Sequence, residues 1–323
     1  MAFAHDEVLR FAALGLACAP VIPLALGLAS FGRPSGELTA TAFVAGTLAG
    51  LIGGVTYFVT AGLKLILSGW PEVIAEGFLG AGIPEELAKF TVLLGIVCAH
   101  EDCDIGLDVI LGAAWIGLGF GALENVLYIF QDKDFFGTGV VRAVLPLPFH
   151  VGVGIIMGCC VALAWKQDER RAFWTVTALA LPMLLHGLVD VTLLSRGPAG
   201  DGPTSASVAG VFAAALMLTA ALVAIWAVRV IANVGPQRLH GGNRPIGAHA
   251  PASRVLRIGR WLAAVTFGLV AAAFAFGTAV SWADSGALAL MAGTISVFSL
   301  GFVLFFWRGP VKFRQHAPRP YGE

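Results

Sequence analysis

The chain has 323 residues, of which 58% are hydrophobic and 12% are Asp, Glu, Lys or Arg, and its formal net charge is zero. Soluble domains carry about 25% charged residues, so the composition excludes a soluble globular protein. A balanced charge offers no electrostatic footprint for nucleic acid. In chain order, about nine segments reach the ~20 apolar residues a membrane-crossing helix needs. They run Phe11 to Phe31, Ala42 to Leu63, Val73 to Ala99, Val109 to Phe130, Val140 to Trp165, Phe173 to Ser195, Ser207 to Val228, Trp261 to Trp282, and Gly286 to Trp307. The expected fold is all-α, a polytopic integral membrane helical bundle. Trp70, Trp165, Trp174, Trp261, Trp282 and Trp307 fall at or beside span ends, where an aromatic belt would place them.

The first run is too long for a signal-peptide core and follows His5, Asp6, Glu7 and Arg10 rather than a basic region, so it reads as a retained helix. Residues 1–71 form an N-terminal two-helix segment, and residues 72–195 form a core that bears the polar motifs. Residues 196–232 add a helix, residues 233–260 are a Gly/Pro/Arg/His-rich linker, and residues 261–323 are a terminal hairpin with a basic tail. The basic clusters at Lys166 to Arg171, Arg229 to Arg260 and Arg308 to Arg319 all fall on one side. The positive-inside rule then sets the N-terminus outside and the C-terminus in the cytoplasm, in the cell membrane. Cys18, Cys98, Cys103, Cys159 and Cys160 show no C-x-x-C spacing and read as buried fillers.

Spans three to six hold Glu76, Glu85, Glu86, Lys89, Glu124, Arg142, His150, His186 and Asp190, whereas the other spans carry no acidic or basic residue in their interiors. Each charge at a span centre costs about 2.5–3.5 kcal/mol. Concentrating that cost in four consecutive helices points to one shared polar site, against the alternative of a purely structural ion-pair network. Glu85 and Lys89 are four apart on one helix face, so Lys89 can neutralise a carboxylate there. Pro84 is expected to break or kink the helix ahead of the pair, and Pro148 to do the same ahead of His150. Gly117, Gly119 and Gly121 lead to Glu124 and Asn125 and allow close backbone contact. His186 and Asp190 are again four apart, so Asp190 is expected to orient the imidazole.

These motifs resemble the PrsW family of bacterial intramembrane proteases, part of a wider group with the CAAX-prenyl endopeptidases and bacteriocin-processing membrane proteins. The matching residues are Glu85, Glu86 and Lys89; Phe120, Glu124 and Asn125; Arg142 with His150; and His186, Gly187 and Asp190. The resemblance covers about Glu72 to Ser195. The CAAX branch has Arg after its double Glu and His at the position of Glu124, so the chain is closer to PrsW. The resemblance implies hydrolysis of a peptide bond in a membrane-anchored protein, with an anti-sigma factor as the prototype's substrate.

Such hydrolysis needs an activated water, an oxyanion stabiliser and a proton for the leaving amine. Glu85 or Glu86 is the expected general base, with His150 and His186 beside it and Lys89, Glu124, Asn125, Arg142 and Asp190 in support. No H-E-x-x-H helix is present, so glutamate-driven chemistry without a cofactor is favoured over a metal. Zinc held by His150, His186 and Glu86 is the alternative. Two other classes fit part of the pattern: an ion- or proton-coupled transporter, and a non-catalytic membrane protein with the same polar core. A protease needs the polar groups to meet in one pocket, whereas a transporter needs them to line a path.

Overall fold

The computed structural model describes residues 2–30, 34–51, 60, 62, 64–144, 146–194, 237 and 238. Helices α1 (Ala2–Cys18) and α2 (Val21–Ala29) are separated by a turn at Ala19 and Pro20, where proline has no N–H for the preceding turn. Helix α3 (Gly36–Ala49) starts at Ser35, whose hydroxyl accepts from the Leu38 amide at 3.2 Å. Helix α4 (Trp70–Ala75) runs through a π-helical stretch (Glu76–Gly82) into α5 (Ile83–Val92) and a second π-helical stretch (Leu93–Val97). Helices α6 (Leu107–Gln131), α7 (Phe135–Val144), α8 (Pro146–Lys166) and α9 (Arg171–Leu194) follow. A two-residue antiparallel pairing joins β1 (Asp104–Ile105) to β2 (Gln237–Arg238), the only strands among the described residues.

Among the described residues, four stretches are long and apolar enough to cross a membrane: Glu7–Ala29, Leu107–Gln131, Pro146–Lys166 and Asp168–Val191. They correspond to the first, fourth, fifth and sixth expected spans. The third expected span is helical from Trp70 to Val97, but two π-helical stretches divide it. The second begins earlier than expected, at Gly36, and most of its later part lies outside the described residues. So do the three last spans, the linker apart from Gln237 and Arg238, and the terminal hairpin.

One expectation about proline is corrected. The fifth expected span is helical as α7 up to Val144 and as α8 from Pro146, and Leu145 between them lies outside the described residues. Pro148 does not break the helix ahead of His150, because α8 continues through it from Pro146 to Lys166. Pro84 stands where the helix changes from π to α. The π-helical stretch ends just before it, and Pro84 occupies the first turn of α5.

Helices α6 and α8 form the centre. Within their apolar windows, 78% and 94% of residues are buried, against 28% for each of the outer spans. The outer spans instead present Phe11, Ile22, Phe173, Val176 and Leu184 outward, as lipid contact requires. The α6–α8 contact is made backbone to backbone. A Cβ on Gly117 would lie 2.2 Å from the His150 carbonyl oxygen, and one on Gly154 would lie 2.4 Å from that of Ala113. Close approach of this kind needs small residues, and it fixes where His150 starts. Gly117→Ala is therefore expected to destabilise the protein by about 1–3 kcal/mol through overpacking. Gly15→Ala, with nothing within 4 Å of its Cβ, is the control and is expected to lose nothing. Thermal unfolding in detergent reads the difference.

Candidate active site

Helix α5 places Glu85, Glu86 and Lys89 in the interior, at 6%, 0% and 1% exposure. Lys89 Nζ donates to Glu86 Oε1 at 2.6 Å and lies 2.9 Å from His150 Nδ1 on α8. It also sits 4.0 Å above the Phe120 ring. An ammonium has only donors, so Nδ1 of His150 accepts. The neutral ring then carries its proton on Nε2, which donates to Glu124 Oε2 at 2.6 Å. The same oxygen is 2.9 Å from an Arg142 guanidinium nitrogen. Arg142 Nε donates to Asn125 Oδ1 at 2.9 Å, and its guanidinium covers the Tyr128 ring at 3.8 Å.

His186 comes from α9. Its Nδ1 is 2.7 Å from Glu86 Oε1, while Nε2 is 3.5 Å from Asp190 Oδ2 and 3.7 Å from Glu85 Oε2. The two imidazoles lie 5.2 Å apart, centre to centre, with the Phe149 ring 5.5 Å from His186. The second oxygens of Glu85 and Glu86 are buried and make no hydrogen bond among the described residues. Glu124 and Asp190 have the more exposed side chains, at 17% and 23%, and Tyr128 beyond them is 47% exposed. The site therefore opens toward the C-terminal ends of α6 and α9.

All nine residues singled out in the sequence for the site meet here, but not in every expected pairing. Lys89 bonds Glu86 rather than Glu85. The His186 orienter is Glu86 rather than Asp190, because the π-helical stretch just before α5 touches α9 at glycines: a Cβ on Gly82 would lie 2.6 Å from Gly187 N. That approach brings Glu86 under the ring. Glu76, expected among the buried charges, pairs instead with the half-exposed Lys64 at 2.8 Å, at the far end of the π-helical stretch. Sequence reasoning passed over Tyr128, although its place one turn after Glu124 puts both on one face. It also passed over the Ala17 carbonyl, which accepts from Asn125 Nδ2 at 2.7 Å.

Glu85, His150 and His186 each offer a ligand atom, and these atoms lie within 4.8 Å of one another. Two imidazoles and a carboxylate are a donor set that suits zinc, and the bare, buried Glu85 Oε2 is consistent with one. The carboxylate grouped with the histidines is Glu85, not the expected Glu86, whose Oε1 is occupied by Lys89 and His186.

The buried polar cluster, Glu85 to Asp190, lies within the region that the family profile matches. A family profile described as PrsW family intramembrane metalloprotease matches residues 34–226. Protease PrsW of Bacillus subtilis (strain 168) is 38% identical over 121 residues, covering 36% of this chain and 53% of that protein. Protease PrsW of Geobacillus kaustophilus (strain HTA426) is 34% identical over 122 residues, covering 38% and 53%. Protease PrsW of Clostridioides difficile (strain 630) is 31% identical over 134 residues, covering 40% and 56%. The chain spans about half the length of these relatives. No solved structure matches. With more than half of its length matched by the profile, including every residue of the buried polar site, the chain belongs to the PrsW family.

Proposed function

We propose that the protein is an intramembrane endopeptidase that hydrolyses a peptide bond of a membrane-anchored protein, with Glu85 as general base. The observation that carries this is the division of labour between adjacent carboxylates. Glu86 is spent on Lys89 and His186, whereas Glu85 Oε2 is buried, free of hydrogen bonds among the described residues, and 3.7 Å from His186 Nε2. A water between these two atoms gives its proton to Glu85 as its oxygen attacks the scissile carbonyl. His186, braced by Glu86 through Nδ1, presents Nε2 to the same space. As imidazolium it donates to the developing oxyanion. Glu85 then returns the proton to the leaving amine. The meeting of all these groups in one cluster supports a hydrolase over a transporter, whose polar groups would line a path.

The substrate class that the family resemblance implies is a membrane-bound anti-sigma factor. With the N-terminus outside, the opening at the ends of α6 and α9 faces the extracytoplasmic side, and the scissile bond lies in the outer half of the substrate's span. Cysteine accessibility tests this in a background without the native cysteines. Leu127→Cys, near the mouth, is expected to react with an impermeant thiol reagent added outside intact cells, and Leu94→Cys is not. Labelling of Leu127→Cys only from the cytoplasmic side would reverse the orientation.

A second reading has its own observations. Four carboxylates, Glu85, Glu86, Glu124 and Asp190, face two permanent cations, Lys89 and Arg142. A divalent metal on Glu85, His150 and His186 would balance that excess and polarise a water. Two protons shared among the imidazoles and carboxylates balance it equally. Against the metal, both nitrogens of His150 already have partners, Lys89 and Glu124. Assay after exhaustive chelation decides the matter. Undiminished cleavage is expected for the glutamate reaction, and loss that is restored by zinc would establish the metal one.

A further inference from the structure

The first span breaks where the polar site reaches it. Ala17 lies in the last turn of α1, and the Ala19 amide turns back to the Leu16 carbonyl at 3.2 Å because Pro20 has no N–H to bring. The Ala17 carbonyl instead receives Asn125 Nδ2 at 2.7 Å, a contact with fully buried surroundings. Two more contacts hold α1 to the hairpin of α6 and α7. Arg10 donates to the Ile129 and Phe130 carbonyls at 2.9 and 3.0 Å, in the last turn of α6, and its guanidinium covers the Phe135 ring at 4.8 Å. Farther along, Ala13 meets Gly139 so closely that a Cβ there would lie 2.9 Å from the Ala13 carbonyl oxygen. Helix α1 lies outside the residues 34–226 that the family profile matches.

We infer that α1 is a positioning element of the catalytic site, acting through Asn125. The Asn125 amide has one orientation that satisfies both of its ends. With its nitrogen on Ala17 O, its oxygen points at Arg142 Nε. That bond aims the guanidinium at Glu124, and Glu124 in turn holds His150 Nε2. Docking of α1 thus sets the far end of a hydrogen-bonded chain that runs through Glu124, His150 and Lys89 to Glu86. Undocked, Asn125 keeps only the longer contact of its Nδ2 to the Arg142 carbonyl, at 3.3 Å; Arg142 swings, and Glu124, which accepts from His150 Nε2, loses the guanidinium beside it. The effect on turnover rests on the proposed hydrolysis, but the effect on Arg142 does not.

Pro20→Ala tests this. Pro20 already has helical angles, φ −68° and ψ −15°, so alanine continues the helix and lets the Val21 amide take the Ala17 carbonyl from Asn125. A merely structural role for α1 predicts an equal or more stable protein with unchanged turnover. The inference predicts an equal or higher Tm with kcat down about tenfold, as loss of an outer orienting partner typically costs, and KM unchanged. Arg10→Leu is the second variant, expected to lower kcat, with Arg10→Lys restoring it because an ammonium can still reach both carbonyls. An activity-free readout accompanies both. In full-length protein labelled with 15N-arginine, the Arg142 Nε–H signal, assigned by its loss in Arg142→Lys, is expected to exchange slowly in wild type and Arg10→Lys. It is expected to exchange fast in Pro20→Ala and Arg10→Leu. Slow Arg142 exchange with full kcat in both variants would overturn the inference. The expected exchange pattern in a protein that cleaves nothing would sink the proposed hydrolysis and leave the coupling of α1 to Arg142 standing.

Discussion

Glu85→Gln is expected to lower the rate of cleavage by about 10²–10⁴-fold, the contribution of a positioned general base, with the protein still folded and inserted. Glutamine keeps the shape of the side chain and can bond to a water, but it cannot take its proton. Among the described residues, no short hydrogen bond of Glu85 is present, and its ionic neighbour is His186 Nε2 at 3.7 Å. Glu86→Gln should behave differently. It removes the charge that Lys89 and His186 share at 2.6 and 2.7 Å, so it should lose stability along with activity. Rate and Tm measured side by side separate the two glutamates. Full activity in Glu85→Gln, with activity lost only in Glu86→Gln, would exchange their roles.

Lys89→Met is expected to be among the most destabilising single changes, at about 3–5 kcal/mol, because it strips a buried carboxylate of its cation. Lys89 is 1% exposed and bridges α5 to α8, bonding Glu86 and approaching His150 while packing on Phe120. Methionine keeps most of that packing, so the loss reports the charge. The double variant Lys89→Met, Glu86→Gln should recover most of the stability, since removing both partners leaves no bare charge. Thermal unfolding of the wild type, both single variants and the double variant completes the cycle. Additive losses would mean that Lys89 and Glu86 are not coupled.

Much of the site was legible because charges in apolar runs are costly. Glu85, Glu86, Lys89, Glu124, His150, His186 and Asp190 stood out against spans that carry no charge, and they do converge. The pairings were not legible. Spacing along one helix suggested Lys89 with Glu85 and His186 with Asp190, but the partners are set by how neighbouring helices roll against each other. The Gly82–Gly187 contact puts Glu86 between Lys89 and His186, and nothing within either segment announces it. The bond from Asn125 to Ala17 joins residues 108 apart in sequence, and only tertiary packing reveals such a contact.

The central claim, that Glu85 drives cleavage of a membrane-anchored protein, is tested most directly by quantitative membrane proteomics on strains carrying the wild-type or the Glu85→Gln chain at equal levels. The account predicts at least one single-span protein whose full-length form accumulates in the Glu85→Gln strain while a fragment ending within or just beyond its span disappears. Identical full-length and fragment populations in the two strains would contradict it.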